Sequence, residues 1–407
     1  MASQWISRRS VVGGTVAGAA AVAVGSTAAR AAVGAAPRAG GRPAPAADAA
    51  RPVAADAARR PSSLDTRALQ AAISDLSHPP ATAAQLRVVR DGQRWYGTAG
   101  VADLANGRAV RPGDRLRAGS ITKAFVATVI LQLWVEGRVD LEAPIGRYLP
   151  GLLPAGFARI TVTQLLNHTS GLPDHQGIPD DSTPEAVLRH RFDQWTPEQW
   201  VRTVTHAPLK FAPGTKQEYR GITYVLLALI IEEVTGQRYG DAIRSRVLRP
   251  LGLTRTLLPG NDPRLHGPHI HGYLRMTDGS LEDVTVYNPS SSWGEGEIVS
   301  TVDDLFRFQQ ALFSDGLLPP EAMEKLFTVP PDSVRMLDGS PARYSLGLQK
   351  ATVNGVTFWG KTGETYGYRT RVFSTRDRRT QFVLSYTPTP LSSNEHMTDR
   401  VVSVLTS

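Results

Sequence analysis

The sequence predicts an α+β fold: an antiparallel sheet formed by N- and C-terminal segments, flanked by helices, plus a helical insertion domain. Strand-like runs rich in β-branched and aromatic residues occur early, within residues 85–101, and again late, within residues 356–386. The long region between them shows helical apolar periodicity with capping signals. Strands at both ends of a helical middle predict a split sheet, with a pocket between the sheet and the insertion.

The first predicted elements are a helix and a hairpin. Asp65 is placed to cap a helix that runs through Leu76. The turn residues at 91–92 separate two strands, Gln85–Val89 and Arg94–Val101. The late strands are predicted at Val356–Gly360, Tyr368–Ser374 and Gln381–Tyr386.

Two helices of the middle region are predicted to be buried. Ser120–Val135 and Ile222–Val234 are apolar nearly all round, and each is followed closely by a glycine. A surface helix would show one polar face, so both should lie inside the domain. The other predicted helices are a short one from Val162, Thr196–His206, Asp303–Ser314, Pro320–Phe327 and a closing helix, Ser392–Leu405.

The composition is that of a globular protein and excludes several function classes. Of 407 residues, 41% are hydrophobic and 20% charged. The net charge is +8, but eight arginines and two aspartates place +6 in residues 1–63, so residues 64–407 carry only +2. This part has no basic stripe with interleaved aromatics, which argues against nucleic-acid binding. The absence of cysteine excludes disulfides, thiolate nucleophiles and thiolate metal sites.

The N-terminus is predicted to be a targeting segment. Residues 7–12 (Ser-Arg-Arg-Ser-Val-Val) resemble a twin-arginine signal, and residues 29–31 (Ala-Arg-Ala) suit cleavage. We therefore expect a signal peptide at 1–31, a disordered Ala/Pro/Arg-rich leader at 32–63 and a folded domain at 64–407. The protein is expected to be secreted and soluble after signal removal. Its later apolar runs are too short for a stable membrane anchor.

A lysine three residues after a serine is the first chemical signal. The chain has only six lysines, and Lys123 stands in Ser120-Ile121-Thr122-Lys123. Arginine effectively cannot lose its proton, so a lysine is better suited than an arginine to act as a catalytic base. Spacing of three puts Ser120 and Lys123 on one helix face, where the amine can accept the hydroxyl proton if its pKa is lowered. The alternative is a capping serine with a solvated lysine.

The second signal is Lys361-Thr362-Gly363, which follows one strand-like run and precedes another. Glycine there allows a substrate backbone to approach closely. The lysine supplies positive charge, and the backbone N–H of Glu364 can point into a site. The alternative is an ordinary hairpin turn.

Together these motifs resemble the serine penicillin-recognising enzymes, whose signature includes S-x-x-K and K-T-G. A third stretch, Phe211-Ala212-Pro213-Gly214 followed by Tyr219, is similar to the tyrosine motif of class C β-lactamases and D-alanyl-D-alanine carboxypeptidases. Residues 166–172 (LNHTSGL), 300–305 (STVDDL) and 344–348 (YSLGL) add to the resemblance. The chain is identified as a member of this serine β-lactamase-related family from about residue 66 to 405.

The resemblance implies a set of roles. Ser120 would attack an acyl carbon, while Lys123 and Tyr219 would share the proton transfers, with Lys361 favouring the phenolate. The backbone N–H groups of Ser120 and Glu364 would form an oxyanion hole. No cofactor and no metal are implied. The predicted substrate-binding residues are Thr362, Gly363, Glu364, Arg220 and Trp293, the last at the cleft rim.

Three departures from the family pattern concern the substrate. Tyr219-Arg220-Gly221 stands where relatives have Tyr-x-Asn, so Gly221 offers no amide to hold a substrate's acyl-amide group. Glu364 stands where relatives often have Ser or Thr, and Gln349 where carboxypeptidases can have Arg. A glutamate there would repel a substrate carboxylate, which favours neutral esters or amides, or a cationic group. Alternatively, Glu364 faces solvent or pairs with Arg220.

Histidines do not change this interpretation. His266, His269 and His271 alternate with Gly and Pro, as expected of a solvated loop rather than a metal site. His168 is interpreted as a structural, hydrogen-bonding residue and not as a base.

The sequence thus predicts an exported serine hydrolase that acts through an acyl-enzyme and resembles D-alanyl-D-alanine carboxypeptidases and β-lactamases. One alternative is an esterase or amidase on the same scaffold. Another is a penicillin-binding sensor that is acylated without turnover. The expected partners are small peptide, β-lactam or ester substrates, and the expected oligomeric state is a monomer.

Overall fold

The computed structural model describes residues 63–407. The predicted signal peptide (1–31) and the predicted leader up to residue 62 lie outside the described residues. The strands are β1 (Ala81–Arg90), β2 (Gln93–Asp103), β3 (Arg108–Ala109), β4 (Leu116–Arg117), β5 (Lys216–Gln217), β6 (Tyr273–Arg275), β7 (Leu281–Asp283), β8 (Val299–Ser300), β9 (Arg335–Met336), β10 (Gln349–Val353), β11 (Val356–Thr365), β12 (Tyr368–Ser374) and β13 (Thr380–Pro388).

The α-helices of the described part are α1 (Thr66–Ser74), α2 (Thr122–Val135), α3 (Val162–Leu166), α4 (Pro184–His190), α5 (Pro197–Arg202), α6 (Ile222–Thr235), α7 (Tyr239–Ile243), α8 (Val302–Leu312), α9 (Pro320–Leu326) and α10 (His396–Thr406). Short 3₁₀ turns occur at Gly119–Ile121, Ile145–Arg147 and Pro289–Ser292, and a π-helical turn follows α7 at Arg244–Leu248.

The main sheet joins the two ends of the folded chain. Its strand order is β10-β11-β12-β13-β1-β2-β3, and every neighbouring pair is antiparallel. At its centre, Leu86 of β1 pairs with Leu384 of β13 on one side and with Gly97 of β2 on the other. The predicted α+β class, with one sheet built from N- and C-terminal segments, is confirmed.

The alternation of side chains along the strands creates two cores. Phe382 and Leu384 face α1 and α10, where they pack with Ile73 and Val401. Val383, one residue out of step, faces the helical body and its larger core. Successive side chains of a strand point to opposite faces, so a sheet covered on both sides needs apolar residues at consecutive positions.

Two buried helices form the centre of the helical body. All but three of the fourteen residues of α2 are buried, as are the first ten residues of α6. The two helices contact each other, and α6 ends at Gly236, which has a φ of 69°. The prediction that both helices lie inside the domain is confirmed, because neither has a polar face to turn to solvent.

Several element boundaries differ from the sequence prediction; for example, β1 begins at Ala81 and not at Gln85. β11 does not end at Gly360 but continues through Lys361-Thr362-Gly363 to Thr365, because these residues pair with β12. The helix that begins after Thr196 ends at Arg202 and not at His206. The closing helix begins at His396, since the chain before it is a loop that directs Glu395 toward Arg371.

None of the helices within residues 63–407 combines the length and the apolar character needed to cross a membrane.

Candidate active site

Ser120 lies in the 3₁₀ turn Gly119–Ile121 that leads into α2, rather than in the α-helix itself. Gly119 has a φ of 55°, a left-handed conformation that favours glycine. A Cβ on Gly119 would also lie 2.6 Å from the backbone nitrogen of Glu364. Glycine therefore permits the turn that carries Ser120 to lie directly against β11.

Gly363 makes the matching approach from the side of the sheet. A Cβ on this residue would lie 1.9 Å from the carbonyl oxygen of Ala118. β10 pairs with β11 only as far as Gly360, so the edge of β11 beyond that point is open to the turn. The alternative of an ordinary hairpin turn is therefore wrong for Lys361-Thr362-Gly363, which is a strand edge packed against the serine segment.

Lys123 is one helical turn beyond Ser120, and its side chain is buried. Its Nζ lies 3.1 Å from Ser120 Oγ and donates a hydrogen bond of 2.7 Å to the backbone oxygen of Glu295. The Glu295 carboxylate is also near, with Oε2 at 3.5 Å from Nζ. The alternative of a solvated lysine is thereby excluded.

Tyr219 stands two residues before Gly221, the residue that precedes α6, and it faces both lysines. Its ring centroid is 5.2 Å from Lys123 Nζ and 4.5 Å from Lys361 Nζ. Behind it lie the rings of His168, at 4.5 Å, and Tyr344, at 5.0 Å. The structure thus brings together Ser120, Lys123, Tyr219 and Lys361, from segments that are distant in the sequence.

Burial dominates the ionisation of this cluster. It lowers the pKa of Lys123 to about 8, although the Glu295 carboxylate acts in the opposite direction. Burial and the charge of Lys123 lower the pKa of Lys361 well below its usual range. For Tyr219, burial raises the pKa, and the opposing effect of the nearby Ser120 hydroxyl is smaller. The expectation that Lys361 favours a phenolate is therefore not met, because burial is the largest influence on the Tyr219 pKa and favours the protonated phenol.

His168 supports the tyrosine from a buried position. Its Nδ1 accepts a hydrogen bond of 3.3 Å from the backbone N–H of Arg220. Burial, with the charges of Lys123 and Lys361, lowers its pKa well below the usual value, so the ring is neutral. A neutral ring that accepts a backbone hydrogen bond suits the structural role predicted from the sequence.

Glu364 does not pair with Arg220, but the alternative of solvent contact is partly met, since 37% of its side chain is exposed. Its Oε1 accepts a hydrogen bond of 2.9 Å from Arg371, and Oε2 is 3.5 Å from Arg369. Burial raises the pKa of Glu364, but the two guanidinium groups outweigh it and the net pKa is lowered. Arg220 forms its ion pair with Asp174 instead. Because its charge is already neutralised, Glu364 gives little reason to expect repulsion of a substrate carboxylate.

The other residues singled out in the sequence differ in how deeply they are buried. Thr362 is buried in β11, and Gln349 is fully buried opposite Gly360 in β10. Trp293 is half-buried, with its ring at 4.6 Å from that of Tyr239. Its role at the cleft rim stays a prediction. Within residues 63–407 no cluster of three metal-binding side chains occurs.

Sequence reasoning missed Glu295. No local motif marks this residue, and it lies 172 residues from Lys123, which it contacts. The one available signal was Gly221, interpreted only as a missing amide. Where a glycine replaces a functional side chain, another residue can occupy the space that this side chain would fill.

The fold and the cluster together define the class of serine β-lactamase and penicillin-binding-protein-like proteins. The Beta-lactamase family model matches residues 69–406, and the chain belongs to that family. Penicillin-binding protein 4* of Bacillus subtilis is 28% identical over 76% of this chain and 68% of its own length. Esterase EstB of Burkholderia gladioli is 32% identical over 57% of this chain and 66% of its own length.

Among solved structures, the fold is similar to that of a D-stereospecific amidohydrolase from Streptomyces sp., with a TM-score of 0.73 and 33% identity. That match covers 83% of this chain and 98% of the other. The matched proteins are thus named as a penicillin-binding protein, an esterase and an amidohydrolase.

Proposed function

We propose that this protein is a serine hydrolase that cleaves amide or ester bonds through an acyl-enzyme on Ser120. The observation that carries the proposal is the Lys123 amine, which lies 3.1 Å from Ser120 Oγ and whose pKa burial lowers to about 8. An amine of that pKa is neutral in a substantial fraction of molecules near neutral pH and can accept the hydroxyl proton.

In the proposed first step, Ser120 Oγ bonds to the acyl carbon while its proton moves to Lys123 Nζ. The carbonyl becomes an oxyanion, for which the backbone N–H groups of Ser120 and Glu364 are the proposed donors. The tetrahedral adduct then expels the amine or alcohol. The phenol of Tyr219, kept protonated by burial, is suited to give the leaving group its proton, and the proton held by Lys123 restores the phenol.

In the second step, water attacks the ester of Ser120. Lys123, neutral again after giving its proton to Tyr219, accepts a proton of the water. The tetrahedral adduct then expels Ser120 Oγ, which takes that proton back from Lys123, and the carboxylic acid is released. The buried Lys361, 4.5 Å from the centroid of the tyrosine ring, adds positive potential to the site when it is protonated. The substrate-side surface would be formed by the edge of β11 at Thr362, Gly363 and Glu364.

For the substrate, we propose an amide or ester without a terminal carboxylate, in preference to a D-alanyl-D-alanine peptide. The guanidinium groups of Arg369 and Arg371 face Glu364, and Arg220 faces Asp174. These cations are thus engaged and do not offer a free partner for a carboxylate. The esterase EstB and the D-stereospecific amidohydrolase are relatives whose names agree with this choice.

The test combines labelling with a substrate panel. Wild-type protein should be labelled by a fluorescent fluorophosphonate, which carries neither an acylamino group nor a carboxylate, whereas Ser120→Ala should not. Ser403→Ala, on the exposed face of α10, serves as the matched control. Labelling that survives in Ser120→Ala would disprove the nucleophile.

The panel comprises a D-amino acid p-nitroanilide, its L isomer, p-nitrophenyl butyrate and a D-alanyl-D-alanine peptide. We expect turnover of the anilide or the ester to exceed that of the peptide. Faster turnover of the peptide would favour the carboxypeptidase. Stable acylation by penicillin with no turnover of any substrate would instead favour the sensor.

We also propose that the protein is exported by the twin-arginine route and acts as a monomer. The support for export is the twin-arginine pattern at residues 7–12 and the small residues at 29–31. N-terminal sequencing of protein secreted by a twin-arginine-competent host should begin near residue 32, and replacing Arg8 and Arg9 by lysine should retain the protein in the cell. Light scattering measures the oligomeric state.

A further inference from the structure

Gly221 is a glycine for reasons of space rather than conformation. Its φ of −66° and ψ of −46° are helical values that every amino acid adopts. A Cβ at this position would lie 1.4 Å from Oε2 of Glu295 and 2.4 Å from its Cδ. The carboxylate of Glu295 therefore occupies the space that a side chain at position 221 would otherwise fill.

Glu295 is held firmly in that space. Oε1 accepts a hydrogen bond of 3.2 Å from the indole N–H of Trp200, and Oε2 faces Lys123 Nζ at 3.5 Å. The backbone N–H of Glu295 donates to the Ser292 oxygen at 3.1 Å, which fixes the loop after the Pro289–Ser292 turn. Only 14% of the side chain is exposed. A carboxylate so restrained has a defined position beside the nucleophile's lysine.

We infer that Glu295 replaces the side chain missing at Gly221 and positions Lys123. The same carboxylate then selects acyl groups that carry a free α-ammonium group. This inference rests on the proposed function. An amide in this place could donate a hydrogen bond to the carbonyl of an N-acylated substrate. A carboxylate only accepts hydrogen bonds, so it repels that carbonyl and attracts an ammonium group. The substrate class is thus aminoacyl amides and esters with an unblocked amine.

The distances suit this recognition. In an aminoacyl-enzyme, the α-nitrogen is two bonds from the acyl carbon that is attached to Ser120 Oγ. The Lys123 amine contacts both that oxygen, at 3.1 Å, and the Glu295 carboxylate, at 3.5 Å, so the two groups lie close together. An α-ammonium group on this side of the acyl chain can therefore reach the carboxylate.

The first test compares two substrates that differ only at the amine. These are D-alanine p-nitroanilide and N-acetyl-D-alanine p-nitroanilide. Wild-type protein should prefer the free amine, and Glu295→Gln should lower kcat/KM for it by about 10- to 100-fold, mainly through KM, because a charge-assisted hydrogen bond is lost. The acetylated substrate should lose far less. Glu282→Gln, in the exposed part of β7, is the matched control. An unchanged preference in Glu295→Gln overturns the inference.

The second test exchanges the two residues. Gly221→Asn alone places a side chain against the carboxylate and should lower the rate of Ser120 labelling at least tenfold. Adding Glu295→Ala removes the collision, so the double variant should be labelled at least tenfold faster than Gly221→Asn. Additive losses in the double variant would show that the two positions do not share one space, and would overturn the inference.

A third measurement distinguishes positioning of Lys123 from a purely structural role. The titratable groups facing this lysine are Glu295, Tyr219, Tyr224, His168 and Lys361. Of these, Glu295 raises the pKa of Lys123, so Glu295→Gln should move the acidic limb of p-nitrophenyl butyrate hydrolysis to lower pH. An unmoved limb contradicts the contact between the two side chains.

The outcomes separate the two proposals. If the wild-type protein hydrolyses p-nitrophenyl butyrate and is labelled at Ser120 by the fluorophosphonate, but shows no preference for the free α-amine, the inference fails and the serine hydrolase stands. If neither labelling nor hydrolysis occurs, the proposed function fails and the inference falls with it.

Discussion

The local sequence could not reveal how deeply the Lys123 side chain is buried. The motif placed a lysine on the same face as Ser120, but a solvated lysine would satisfy that spacing equally well. Burial of the side chain in the structure lowers the pKa of the amine to about 8. Because arginine keeps its proton in proteins, charge alone cannot replace this property.

Replacing Lys123 by arginine should lower the rate of Ser120 acylation by about 10²- to 10⁴-fold, because a group that never loses its proton cannot accept one. The measurement is the rate at which a fluorescent fluorophosphonate labels Ser120, which requires the same loss of the hydroxyl proton. Circular dichroism of the variant controls for folding. Labelling of the folded variant at the wild-type rate would contradict the role of Lys123 as base.

The acylation rate of the wild-type protein should rise with pH through a value of about 8. Below the pKa of Lys123 the amine is protonated and cannot accept the hydroxyl proton, whereas above it the neutral amine predominates. Stopped-flow acylation between pH 6 and 10 gives the profile. A rate that falls over this interval would indicate that the protonated amine is the active form.

At the scale of elements, the site depends on the contact between β11 and the turn Gly119–Ile121. The sequence marks both with glycines, and the structure explains them by backbone approach from each side. The strand prediction stopped at Gly360 because lysine and glycine are depleted in strands. Pairing with β12 continues the strand to Thr365 and presents the Lys361 segment as an edge.

Gly363→Ala should destabilise the protein by about 1–3 kcal/mol and slow the labelling of Ser120, because its Cβ would meet the Ala118 carbonyl oxygen at 1.9 Å. Gly156→Ala is the matched control, since no atom lies within 4 Å of its added Cβ. Urea unfolding of both variants measures the difference. Equal stability of the two would show that the turn and the strand are not in close contact.

A buried ion pair ties β12 to the start of α10. Arg371 is fully buried, and its Nε donates a hydrogen bond of 3.0 Å to Oε2 of Glu395. Glu395→Ala should therefore lower the free energy of unfolding by about 3 kcal/mol, because it leaves the guanidinium with less compensation. Glu324→Ala, which breaks the exposed pair with Arg376, should cost less than about 1 kcal/mol. Comparable losses in the two variants would argue against burial as the cause.

On the scale of the whole molecule, the site and the fold should be lost together. β1 pairs with β13, so the sheet exists only when both ends of the folded chain are in place. The cluster likewise draws Ser120, Tyr219, Glu295 and Lys361 from four separate segments. No single segment can retain the site after the others have separated.

In a urea titration, hydrolysis of p-nitrophenyl butyrate and the far-ultraviolet circular dichroism signal should decline at the same midpoint. The physical reason is the mutual dependence of sheet and site. Loss of activity at a clearly lower urea concentration would instead identify a local opening of the site that precedes global unfolding.

The sequence alone determined the class of fold, the buried helices and the four residues of the cluster. Apolar periodicity and motif spacing are local properties that can be read directly from the amino-acid sequence. It could not determine what Glu364 pairs with, that burial keeps the Tyr219 phenol protonated, or that Glu295 fills the space beside Gly221. Those features depend on which groups meet across distant segments and how much water they lose there, and only the tertiary structure decides both.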